Sequence, residues 1–261
     1  MLEDWYRKVN RPEFVNSDPV LFPRRFSDPA DIEIAAFLAG VIAWGRRDLI
    51  LKSGERLFSL LRGGPFAFVM AGRYRSLRNR RDCPSGACIH RTFFEEDLAY
   101  FCRGLRACYQ TYGSLEALFS SALNRPGSPD SPGDPGIWEG MALFRETMAQ
   151  GNGGRYTKHI ADPHSGSPCK RLCLSLRWLV RREGPVDLGL WTSVSPAALY
   201  IPLDLHVGRA ARQLGLLDPA RKANDRKAAT ALTAQLREFC PEDPARYDLA
   251  LFGWGMENAG G

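Results

Sequence analysis

Between residues 31 and 44 the chain reads Asp-Ile-Glu-Ile-Ala-Ala-Phe-Leu-Ala-Gly-Val-Ile-Ala-Trp, apolar on nearly every side once its opening acids are past. That pattern predicts a central buried helix. Ser27 and Asp28 ahead of Pro29 supply entry caps, and Gly45-Arg46-Arg47 brings two cations to the far end. Helical periodicity predicts further helices at 49–61, 65–70, 93–112, 114–123 and 137–150, while alternating runs rich in Val, Ile and Thr are scarce. The fold class expected is therefore all-α.

Two helix entrances in the second half carry unusual residues. Ser167 reads as an N-cap and Pro168 as the first helical residue, with Leu172, Leu176 and Leu179 forming the buried face. Lys170 then lies at the positive end of a helix dipole, which disfavours its ammonium form. Further on, Leu203, Val207, Ala210 and Leu214 form one apolar face, Pro202 suits a first-turn position and Gly215 a stop. Asp204 falls in or beside that first turn, where the dipole stabilises its charge and where it could be a cap, a metal ligand or a catalytic group.

Composition narrows the class. In 261 residues, 44% are hydrophobic and 25% charged, the balance of a globular chain able to bury a core. The net charge is +6, and all but six of the 35 cationic side chains are arginine, the better fork for phosphate. The segment from Met1 to Lys8 has acids and no apolar run, and nowhere do about 18 apolar residues follow one another, so neither a secretory signal nor a membrane span is expected. Seven cysteines without framework spacing suit a reducing cytoplasm. Residues 78–88 read as a basic loop, and 124–136, rich in Pro, Gly, Ser and Asp, as a flexible connection inside a single two-lobed domain spanning 1–261.

A neutral lysine is a candidate nucleophile towards a sugar C1′, and a nearby carboxylate can take its proton or stabilise oxocarbenium character. The chain between Lys170 and Asp204 is long enough for one helix and a return, so the two can face one another. Lys158 is a reserve amine. His159, Asp162, His164, Asp204 and His206 invite a metal, yet no local ligand signature accompanies them; Cys83, Cys88 and His90 lack a second cysteine pair, and Cys240 stands alone. No metal or cofactor is expected.

Residues 31–47, and Pro202-Leu203-Asp204-Leu205-His206-Val207-Gly208-Arg209 with Leu214-Gly215-Leu216, resemble the early buried helix and the catalytic-aspartate segment of helix-hairpin-helix DNA glycosylases. Ser165-Gly166-Ser167-Pro168 stands where those enzymes carry a Leu-Pro-Gly-Val-Gly-like hairpin turn, and the wide Lys-to-Asp spacing is similar to the archaeal 8-oxoguanine glycosylase branch. Over nearly its whole length the chain also resembles an uncharacterised bacterial family, through Lys158-His159-Ile160, Lys170-Arg171-Leu172, residues 177–181, 186–191 and 202–206, and Tyr247-Asp248-Leu249-Ala250-Leu251-Phe252-Gly253.

The glycosylase resemblance implies a two-lobed helical fold with an atypical hairpin. It implies removal of an oxidised purine such as 8-oxoguanine from double-stranded DNA by a monomer, with Lys170 as Schiff-base amine and Asp204 as catalytic acid group. Trp44, Phe252 and Trp254 at helix ends would stack the extruded base, Arg46, Arg47, Arg171 and Arg177 would grip phosphates, and Pro202 and His206 would flank the substrate. The alternative is a noncatalytic helical nucleic-acid-binding protein.

Overall fold

The computed structural model describes residues 1–79, 87–123 and 136–258. The expected connection at 124–136 lies outside them except for Gly136, as do Cys83 and most of the basic loop. Among the described residues twelve α-helices follow in order: α1 (Leu2–Val9), α2 (Pro12–Val15), α3 (Pro29–Ile42), α4 (Arg47–Leu60), α5 (Pro65–Met70), α6 (Glu95–Tyr112), α7 (Leu115–Leu123), α8 (Ile137–Gln150), α9 (Lys170–Val180), α10 (Leu205–Gln213), α11 (Arg226–Phe239) and α12 (Tyr247–Glu257). The chain is mostly helical. Its departure from the all-α expectation, among the described residues, is an antiparallel hairpin of β1 (Cys88–His90) and β2 (Phe93–Phe94). The helix expected from 93 starts at Glu95 instead, where Asp97 accepts the Phe94 N–H at 2.8 Å.

Helix α3 is the hub. Asp28 caps it through the N–H groups of Ala30 and Asp31, and Ile34 to Ile42 are buried without interruption. Its one buried acid, Glu33, accepts from Tyr109 Oη (2.6 Å), the N–H groups of Leu115 and Glu116 (3.0 Å each) and Trp191 Nε1 (2.7 Å). One carboxylate thus ties α6, the start of α7 and the 191 loop to α3, where its charge also complements the α7 dipole.

Helix α9 runs antiparallel along α3. A Cβ at Gly40 would collide with the Ser175 hydroxyl, so glycine is what lets the two backbones approach. Ser175 Oγ lies 3.1 Å from the Ala36 carbonyl oxygen and fills the space. The close approach sets the start of α9 against the end of α3. Helix α12 packs between α1 and α10 and closes the other side.

Three local expectations are corrected. Helix α9 begins at Lys170, not at Pro168, because Cys169 takes a left-handed conformation (φ 47°) and the Ser167 hydroxyl accepts the Cys169 N–H instead of capping the helix. Pro202 precedes α10 and is not in its first turn; Asp204 is the N-cap. Phe252 lies within α12, which continues to Glu257, and not at a helix end; Trp254 falls in the last turn. No helix of the described residues is long and apolar enough to cross a membrane.

Candidate functional site

The C-terminal end of α3, the start of α4, the entrances of α9 and α10 and one face of α12 enclose a cavity of about 1080 Å³. Lys170 and Asp204 meet on its wall. Lys170 Nζ lies 3.8 Å from Asp204 Oδ2 and donates to the Ala43 carbonyl oxygen at 3.2 Å, with both side chains part-exposed. Asp204 divides its work: Oδ1 accepts the N–H groups of His206 (2.9 Å) and Val207 (3.0 Å), leaving Oδ2 towards the lysine. The capping N–H groups fix the carboxylate's rotamer.

Lys170 stands between two helix ends, not at one. The ammonium stands at the positive end of α9, but Ala43 is the C-cap of α3, whose exposed carbonyls favour a cation. The two helix ends oppose one another at this nitrogen. Arg171 is drawn to the same end, its Nη1 donating to the Val41 carbonyl at 2.8 Å.

Two further carboxylates line the cavity, and neither was expected. Asp248 is buried on α12, and burial pushes its carboxyl up to about 6 against the pull of Arg177 and Lys170, with the Asp204 charge adding to the rise. Asp18 caps the 3₁₀ turn Pro19–Leu21 and faces Arg47 at 3.6 Å; burial raises its carboxyl too, with Arg47 the main opposing charge. An acid inside the otherwise apolar run 247–253 was the available signal for Asp248.

Of the proposed substrate contacts, Trp44, Arg46, Arg47, Arg171, Arg177, Pro202, His206 and Phe252 all line the cavity. Trp254 does not; it packs part-buried against the core. Arg177 is only 2% exposed and holds Asp187 and Asp248 in a buried chain that continues through Arg181 to Asp243 and Tyr6, so its guanidinium is committed to the fold instead of to a phosphate. Arg171 is part-exposed and gives one of its donors to Val41. Arg46 is exposed and paired with Asp48, while Arg47 lies over Phe252 (4.6 Å) and Phe14 (5.1 Å). His206 is exposed at the mouth. The reserve amine, Lys158, is exposed and outside the cavity lining.

Around the opening stand Leu49, Leu205 and Met256, with exposures of 44%, 78% and 64%. His159 lines the inner wall, but it faces Asp97, and among the described residues no three His, Cys, Asp or Glu side chains are grouped to hold a metal ion.

The family described as "Protein of unknown function (DUF2400)" matches residues 18–257. The chain belongs to the DUF2400 family. Within this DUF2400 chain the matched region holds every cavity residue named above except Phe14, so the site belongs to the family's own segment. Neither the curated proteins nor the solved structures include a significant match.

Proposed function

We propose that the protein is a DNA N-glycosylase with abasic-site lyase activity, acting on an oxidised purine such as 8-oxoguanine in double-stranded DNA. The observation that carries this reading is the Lys170 amine beside the free oxygen of Asp204 on the wall of one cavity. Small-molecule sites run to about 1,000 Å³, so the space admits an extruded nucleotide. Trp44 and Phe252 offer aromatic surface, arginines surround the opening, and the resemblance of the two segments to helix-hairpin-helix glycosylases points the same way.

In this reading the Lys170 ammonium first gives a proton to Asp204 Oδ2, the carboxylate nearest it. The neutral amine bonds to C1′ as the C1′–N bond breaks; the bonding electrons leave with the base, which takes up a proton. The amine's second proton passes to the ring oxygen as the sugar opens, leaving a protonated Schiff base; β-elimination of the 3′ phosphate and hydrolysis by water then free the lysine. Asp204 passes the proton it received to the departing base and, ionised again, stabilises the positive charge left on the bound amine.

The second reading is a noncatalytic nucleic-acid-binding protein. It draws on the structural partners that Lys170 and Asp204 already have, the Ala43 carbonyl and the α10 N–H groups. Single-turnover incubation with duplexes bearing 8-oxoguanine, uracil or a normal purine separates the two. Release of 8-oxoguanine base by the wild type and not by Lys170→Gln is expected. Duplex binding without release of any base would overturn the enzymatic reading in favour of the second.

A further inference from the structure

The β1–β2 hairpin delivers one residue to the cavity that the mechanism above does not use. Arg91, at the hairpin's turn, lines the opening with its guanidinium 4.7 Å over the Trp44 ring. It also packs on the Gly45 backbone, where a Cβ would lie 2.7 Å from Arg91 Nη1. The two contacts hold the guanidinium against Trp44 and Gly45, on a residue that is otherwise exposed.

The support beneath this arginine is rigid. His90 is buried and spans two elements, Nδ1 lying 2.9 Å from Ser53 Oγ and Nε2 2.9 Å from the Trp44 carbonyl oxygen. The hairpin is thereby tied to α4 and to the residue on which Arg91 lies. Arg91 itself is exposed and adopts φ 51°, a conformation that glycine would take more readily.

Charge separates Arg91 from its neighbours on the rim. Arg46 is paired with Asp48 and Arg47 faces Asp18, whereas among the described residues no carboxylate pairs with Arg91. A planar cation held on an indole, beside two further arginines and without an anion of its own, fits a bidentate phosphate contact.

Resting on the glycosylase reading, we propose that the β1–β2 hairpin is a nucleic-acid-contacting arm on which Arg91 grips a backbone phosphate at the cavity mouth. A contact to a base edge is the competing use of the same fork, and salt dependence distinguishes them. Each phosphate neutralised contributes about 0.9 to the slope of log K against log salt on duplex DNA, whereas a contact to a base edge contributes specificity and little slope.

The test is binding to a duplex carrying a tetrahydrofuran abasic-site analogue, measured from about 50 to 200 mM KCl, the range in which this term is large. Wild type is compared with Arg91→Gln, Arg91→Gly and Arg91→Lys, and thermal midpoints are recorded for each. Arg91→Gly suits the turn's backbone and keeps the test informative if the glutamine variant folds poorly. The expected result is a slope shallower by about 0.9 in the glutamine and glycine variants and nearly restored in the lysine variant. An unchanged slope in folded variants, with wild type still binding, overturns the phosphate contact and leaves the glycosylase reading intact. Failure of wild type to bind the duplex overturns both.

Discussion

Asp204 serves two partners with its two carboxylate oxygens: Oδ1 accepts the His206 and Val207 N–H groups, and Oδ2 stands 3.8 Å from Lys170 Nζ. Asp204→Asn keeps an oxygen for the cap and turns a neutral amide towards the lysine. Its thermal midpoint is expected within about a degree or two of wild type, since Asn caps about as well as Asp, while single-turnover base release is suppressed. Asp204→Ala is expected to lose turnover together with about 1 kcal/mol of stability. Equal turnover in wild type and Asp204→Asn would remove the aspartate from the chemistry.

Asp248 carries a pH signature of its own. Its carboxyl is raised from the ordinary value of 3.8 to about 6, so the folded chain binds a proton that the unfolded chain has already released. The group's contribution to stability is therefore fully present below the unfolded pKa and is lost as pH rises through about 6. Asp248→Asn does not titrate. Unfolding free energy measured from pH 4 to 7 should fall more steeply in wild type than in the variant, and parallel profiles would contradict the shift.

Much of the Lys170 and Asp204 relationship was legible in the sequence, because each stands at a helix entrance with an apolar face behind it and the separation allows a return. Asp248 and Arg91 were not. An acid in an apolar helix does not show which distant partner it meets, and Asp248 meets Arg177 from another helix. The hairpin that presents Arg91 lacks the usual Gly or Asn turn signal, so Phe93 and Phe94 read as the start of a helix. Trp254 illustrates a further limit: once α12 is seen to run to Glu257, steps of four place Asp248, Phe252 and Met256 on the cavity face and leave Trp254 off it.

Glu33 is the acid on which the helical assembly turns. Glu33→Ala leaves the buried donors of Tyr109, Trp191 and the α7 entrance without their acceptor, at a cost of about 3 kcal/mol or more. Denaturant unfolding is expected to show that loss, with Glu33→Gln intermediate. A midpoint unchanged in Glu33→Ala would contradict the role assigned to this carboxylate.

Gly40 sets the distance between α3 and α9, and through it the place of Lys170. Gly40→Ala gains helix propensity but drives a methyl group into the Ser175 hydroxyl, so a net loss of roughly 1–3 kcal/mol is expected. Adding Ser175→Ala removes the obstructing oxygen. The double variant should be more stable than the sum of the single changes allows, as a double-mutant cycle would read. Additivity would mean that the two helices are not in contact there.

If Lys170 acts as an amine on a sugar carbon, borohydride will trap it there. Wild-type protein is incubated with duplex DNA containing 8-oxoguanine or an abasic site, reduced with borohydride, digested and mapped by mass spectrometry. A covalent protein–DNA adduct is expected on the peptide containing Lys170, absent from Lys170→Gln and still formed by Lys158→Gln. No adduct with wild type, or an adduct that survives Lys170→Gln, would rule Lys170 out as that amine.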